Sequence, residues 1–511
     1  MSTEKTNFYN SARVKRGFYH FLVGKGITSI ASFLVAILIV RELSINDYAS
    51  YTAISGLLIT FMLISNFGIE RTVPKYIAKA KQTASELELK KLTVKLIQYR
   101  LLGLFITTSG MITFSNVIFS RFGIEFNADI LTGFCLYAFG FGMSMHMTRT
   151  LQALLMQKEA TFTMSIEWFC KLSVILLLVY AYDAMTLSNV LYVQAGTILL
   201  SLSFATWRLL HAVRTAESSV LQGSVINNRE LFRFSLNNYL QTLAGFHCNA
   251  STNKLVGSAL LAPSSVASLG FAYSITSVFQ RYLPSQLFIG LIEPVIMGRF
   301  SKSRDFSETR LYTGVLFKIN LFIVMPAVVW VMVDGRFIIE VITKGKYGDT
   351  AWLIGSLLIA LILESQRAIL QLISNAVDRS ELLLKTNLYT LIMLPVLILL
   401  TINFNLHGLI IGILLTLLLR NCILEVMLVK LSFRMPYDFL AIVKIVITSF
   451  ISVFLTNNFN LFEFLTPVIS SIINLALVYL SYLICLAILK PFSSEERTLL
   501  NGFIGKKVFI W

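Results

Sequence analysis

Charged side chains sit inside apolar stretches of this chain that are long enough to cross a membrane, and most of them are cations. Lys25, Arg100, Lys171, Lys254, Arg281, Lys318, Arg367 and Lys444 stand against the acids Glu167 and Glu364. An ionisable group within a span is costly, so it faces a wet cavity or a partner. A basic excess of this kind suits a cavity that attracts an anion.

Spacing sorts these residues. Glu167 and Lys171 are four apart, and Glu364 and Arg367 three apart, so each pair can neutralise itself on one helix face. Lys171 nonetheless falls about 15 Å into its span at ~1.5 Å per residue, too deep for its ammonium to reach either surface easily. Arg100, Arg281 and Lys444 lie within about two turns of a span end, where a long side chain snorkels. Lys25 sits between Gly24 and Gly26, whose bare backbone lets a neighbouring helix or a substrate approach closely. Lys254, Asn237, Asn238 and Gln241 share one expected span. Candidate substrate contacts are therefore Lys25, Lys171, Lys254, Asn237, Asn238, Gln241, Arg281 and Lys318, and candidate ion-coupling groups are Glu167, Glu364 and Arg367. His146 could carry a proton, although a hydrogen-bonded core histidine is the ordinary reading. The five histidines and five cysteines show no ligand spacing, so no metal, disulfide or cofactor is expected.

Composition sets the elements that must hold these groups. The chain has 511 residues, 56% hydrophobic and 14% charged, against about a quarter charged in soluble proteins. Apolar runs of about 20 residues recur throughout, the length that crosses a hydrocarbon core as a helix. The first seventeen residues are polar and basic, and the run after them is too long for a cleaved signal, so the first helix is expected to stay. The formal net charge of +16 does not indicate nucleic acid, because the basic residues cluster in short loops between spans.

The pattern predicts an all-α integral membrane fold of about fourteen spans, near 18–40, 50–69, 96–119, 129–148, 161–182, 187–207, 235–257, 263–283, 311–333, 350–371, 386–403, 407–429, 439–456 and 465–489. Domain boundaries follow: an N-terminal lobe over 1–207, a cytoplasmic linker over 208–234, a C-terminal lobe over 235–429, and two additional spans with a tail over 430–511. With the amino terminus inside, cytoplasmic loops hold about 30 Lys and Arg. External loops hold Arg41, Arg121, Arg336, Lys344 and Lys346, so both termini are expected in the cytoplasm. A repeat supports two lobes. LSINDYAS at 43–50 aligns with LAPSSVAS at 261–268, VPKYI at 73–77 with EPVIM at 293–297, and LQALLMQKE at 151–159 with LQLISNAVD at 370–378. The offset is nearly constant and encloses an even number of spans, which makes the repeat parallel.

Residues 34–78, with Asp47-Tyr48-Ala49, Gly68 and Glu70-Arg71, resemble the opening of the polysaccharide repeat-unit (O-antigen type) flippases of the multidrug/oligosaccharidyl-lipid/polysaccharide (MOP) exporter superfamily. NKLVGSALLAPSSVASLGFAYSI at 253–275 is similar to that family's seventh-to-eighth helix segment, with Asn253-Lys254 where the family often carries an acid. The resemblance implies two six-helix lobes, alternating access, and export of an undecaprenyl-diphosphate-linked oligosaccharide across the bacterial inner membrane. It also implies a first helix that lines the cavity and often bears a basic residue, here Lys25. Membrane lipids, a polysaccharide polymerase and a chain-length regulator are the partners it suggests, and nucleic acid is not among them.

Two other functions compete. A multidrug exporter of the same fold typically has twelve helices and binding acids, against the basic balance here. A membrane polymerase commonly needs a sizeable outer loop, and the longest expected here, 334–349, has about 16 residues. The expectation is a transporter, not an enzyme.

Overall fold

The computed structural model describes residues 11–83, 85–182, 185–214, 227–285, 306–377, 379, 381–458, 467–504, 507 and 509; side chains in α1 are described at Gly26 and from Thr28 onward. Among the described residues the chain is helical, without strands. It divides into two compact units, residues 1–267 and 268–511.

The first unit holds α1 (Ser11–Glu42), α2 (Ile45–Asn66), α3 (Ile69–Thr83), α4 (Glu86–Thr113), α5 (Ser115–Arg121), α6 (Ala128–Ala153), α7 (Gln157–Tyr180), α8 (Leu187–Arg214), α9 (Asn228–Gly245) and α10 (Ala250–Leu260). Sequence signals set the helix starts. Ser44 caps α2, its Oγ accepting from the Asp47 N–H at 3.0 Å and donating to the Asp47 carboxylate at 2.9 Å. Ser85 and Glu88 form a reciprocal capping box on α4. Phe61 meets Phe134 edge-on at 6.2 Å in a core shared by α2, α4, α6 and α8. Most of α7 remains outside that core, as a lipid-facing helix would.

Gly68 links α2 to α3 at φ +76°, and a Cβ there would overlap the Ser235 carbonyl, so glycine is required twice over. The expected seventh span falls in this unit and is discontinuous. A 3-10 turn at Phe246–Cys248 separates α9 from α10.

α11 (Pro263–Tyr282) spans the division. The second unit continues with α12 (Ser307–Thr343), α13 (Ala351–Ala376), α14 (Glu381–Thr390), α15 (Met393–Val429), α16 (Phe439–Asn458), α17 (Pro467–Leu489) and α18 (Ser494–Ile504). α6 and α13 are each 26 residues long. At Asn405 (φ 52°, ψ −136°) α15 turns back on itself. Gly408 and Gly412 let its two limbs touch, because a Cβ on Gly408 would overlap the Leu400 carbonyl. The GxxxG spacing is a packing device.

Nine segments among the described residues are long and apolar enough to span a membrane, ten if the bent α4–α5 pair is one span. The chain is a multi-pass membrane protein. This measure does not reach the expected fourteen, for identifiable reasons. The 49-residue segment Glu381–Val429 contains two expected spans folded at Asn405. The seventh span is split by its 3-10 turn, and the eighth, α11, carries Ser264, Ser265, Ser268, Ser274, Thr276 and Ser277. The first is only partly described.

Candidate functional site

One cluster of charged groups in the first unit gathers where α2 meets α3. Asn66, the last residue of α2, donates from Nδ2 to Glu70 Oε2 at 3.1 Å and accepts the Glu70 N–H at 2.9 Å. Glu70 pairs with Arg149 near the end of α6, and Arg149 Nη1 also reaches the Glu70 carbonyl at 3.2 Å. Arg71 donates to Gln241 Oε1 of α9 at 2.7 Å. Beside this group lies a cavity of about 200 Å³, walled by Asn66, Glu70, Arg100, His146, Arg149 and Asn249 among apolar residues such as Met62 and Phe141.

Arg100 has no carboxylate among its hydrogen-bond partners. It is 5% exposed, and its guanidinium bonds to Ser65 Oγ at 3.2 Å, the Gly142 carbonyl at 3.3 Å and Met62 Sδ at 3.4 Å. These partners are all neutral. His146 is equally buried, and its Nε2 has no hydrogen-bond partner. A desolvated cation and an unsatisfied ring nitrogen on one cavity wall are costly unless something polar completes them.

The expected site residues are distributed differently. Lys25 lies in α1 with its side chain outside the described residues. Lys171 is 1% exposed, held by Glu167 at 2.9 Å and stacked 4.4 Å over Trp168. Lys254 donates to Ser55 Oγ of α2 at 3.0 Å, Asn238 bonds its own helix at the Phe234 carbonyl, and Asn237 is exposed. Of the expected substrate contacts whose side chains are described, none lines this cavity.

In the second unit, Lys318 is buried between Asp438 at 2.7 Å and Glu496 at 2.8 Å, tying α12 to the start of α16 and to α18. Burial works to raise the Asp438 carboxyl, but the bonds from Lys318 and the Ala441 N–H prevail and hold it below the ordinary aspartate range. Glu364 and Arg367 do not bond to one another. Gln280 of α11 donates to Glu364 at 2.9 Å, Arg420 is its charged neighbour, and Arg367 reaches Asn387 Oδ1 at 3.0 Å. Arg281 is half-buried in the last turn of α11.

Sequence reading passed over Arg149, Glu70 and Arg420. Arg149 and Glu70 count as loop charges because they stand at span ends, although both sit in a motif-dense region. Arg420 was legible, since it interrupts the apolar run LLLRNCIL, and it is 7% exposed.

A family profile described as "Polysaccharide biosynthesis protein" matches residues 14–288, more than half of the chain. No curated protein sequence matches. Among solved structures, the chain is similar to the lipid II flippase MurJ in an inward closed conformation, with TM-score 0.69 and 14% identity over 92% of this chain and 98% of that one. An inward-facing multidrug resistance MATE family transporter of the MOP superfamily gives 0.57 and 13%, over 81% and 98%. A MOP superfamily transporter from Pyrococcus furiosus gives 0.52 and 12%, over 85% and 100%. These likenesses establish a MurJ- and MATE-like fold. By the profile match, the chain belongs to the polysaccharide biosynthesis protein family.

Proposed function

We propose that this protein flips a lipid-linked oligosaccharide repeat unit, carried on a polyisoprenyl diphosphate, from the inner to the outer leaflet of a bacterial cytoplasmic membrane. The observation that carries this reading is Arg100, a buried guanidinium on a cavity wall whose hydrogen-bond partners are all neutral. A guanidinium binds phosphate oxygens through charge-assisted hydrogen bonds, which are roughly twice as strong as neutral ones.

Diphosphate and sugars enter a wet cavity from the cytoplasmic side while the lipid tail stays in the bilayer. Alternating exposure of that cavity then delivers them outside. Separate cations along the route, with Lys25, Lys254 and Arg281 among the candidates, pass the anion on without one of them trapping it. A membrane potential positive outside assists the outward movement of an anion. Glu364, half-buried and held by the neutral Gln280, is the candidate for a coupling proton or cation, whereas Glu167 is engaged by Lys171. The excess of Lys and Arg in alternate loops supports an orientation with both termini inside.

Deletion of the gene in its native host, followed by assay of surface glycan and inner-leaflet lipid-linked repeat units, tests the reading. Surface glycan should vanish while the lipid-linked unit accumulates. Normal surface glycan together with lost drug resistance would assign the chain to small-molecule export instead.

A further inference from the structure

We propose that the cavity within the first unit is a subsite for a phosphate-type oxyanion, cradled by Arg100, His146 and the N-terminal end of α10.

Three independent features converge there. Arg100 sets a guanidinium in a largely apolar wall with three neutral hydrogen-bond partners, and Glu70, the carboxylate nearby, is itself bonded to Arg149. His146, 5% exposed, lines the cavity with Nε2 unpartnered. The third feature is the broken seventh span. The chain leaves α9, makes one 3-10 turn, and restarts as the eleven-residue α10 behind Asn249, whose side chain caps nothing. The first N–H groups of a helix have no partner within it and carry the positive end of its dipole, a ready anion site. Asn249 and Phe246, on either side of this restart, both line the cavity.

Charge and size fit the same ligand class. Arg149 is matched by Glu70, so Arg100 leaves the lining one positive charge in excess before the helix end is counted. About 200 Å³ far exceeds the roughly 10–15 Å³ needed for one water and admits a phosphate group. The inference rests on the flippase reading for the identity of the cargo, but not for the chemistry of the anion.

The test is calorimetric titration of the purified full-length protein in nanodiscs with inorganic diphosphate. Saturable binding is expected, at least ten-fold weaker in Arg100→Gln, several-fold weaker in His146→Gln and unchanged in Lys444→Gln, whose lysine belongs to the second unit and bonds the Leu489 carbonyl. Circular dichroism and gel filtration establish that each variant folds, and if Arg100→Gln does not, His146→Gln carries the comparison. Equal affinity in the wild type and in the folded cavity variants overturns the subsite, as does wild type that never saturates. If surface glycan still depends on the protein in that case, the flippase reading survives alone. A short-chain polyisoprenyl diphosphate that displaces the inorganic probe supports the subsite as a lipid head-group site. Failure to displace supports the subsite for a soluble phosphate compound and counts against the flippase reading.

Discussion

The Tyr482 hydroxyl donates to the carbonyl oxygen of Phe322 at 3.0 Å, four residues before Pro326 in α12. A proline cannot donate to the carbonyl four positions back, so Pro326 leaves Phe322 without its helical partner inside an apolar element. Tyr482, fully buried on α17, supplies the missing donor, and Tyr479 likewise reaches the Ile323 carbonyl at 3.0 Å. The terminal pair of spans is thus fastened to α12 at the point where α12 is weakest.

Tyr482→Phe should therefore destabilise the protein by about 1–3 kcal/mol, the usual cost of a buried acceptor left unmade. In a Pro326→Ala background the helix recovers its own N–H donor, and the same change should cost much less. Thermal unfolding of the four proteins in detergent measures the coupling. Equal losses in both backgrounds would disconnect the tyrosine from the proline.

Breaking the Lys171–Glu167 pair with Glu167→Gln should cost about 3–5 kcal/mol, because it strands a buried ammonium. Replacing both, as Lys171→Met with Glu167→Leu, should restore most of that loss. Surface glycan in the double variant then decides what the lysine does. Normal glycan confines it to structure, and absent glycan from a stable protein places it on the transport route.

Gly68→Ala adds a methyl group where φ is positive and where the Ser235 backbone already occupies the space. We expect α9 to be pushed away from α3 and the 2.7 Å Thr72–Ser235 hydroxyl contact to be lost. Hydrogen exchange should show faster amide exchange across 228–245. Unchanged protection there would contradict the close approach.

The Lys318–Asp438 bond should make the attachment of α16 to α12 sensitive to acid. Asp438 titrates lower in the folded protein than in the unfolded chain, so its contribution is complete above the ordinary aspartate value of about 3.9. It disappears as the pH falls through the lower folded value. Asp438→Asn should lower stability at neutral pH and flatten that acid limb. A variant as stable as wild type at pH 7, with the same acid profile, would remove Asp438 from the clamp.

Much of the architecture was legible because a membrane leaves the backbone few choices. Apolar runs must be helices, Ser44 and Ser85 mark where two of them start, and the Asp47-Tyr48-Ala49 and Gly68 to Arg71 motifs proved to be a cap and a junction. The i, i+4 spacing also anticipated the Lys171–Glu167 pair. Sequence could not pair Lys318 with acids at positions 438 and 496, nor reveal that Glu364 turns to Gln280 rather than to Arg367. Those choices depend on which helix faces meet, and linear spacing carries no such information. The candidate site shows the same division. Type and spacing identified Arg100 and His146 as charged or titratable groups inside spans, but tertiary folding alone set them around one cavity, together with the restart of a helix that hydropathy reads as continuous. An apolar run reports how far a segment extends through lipid, and only side-chain packing decides which polar groups are left facing a cavity.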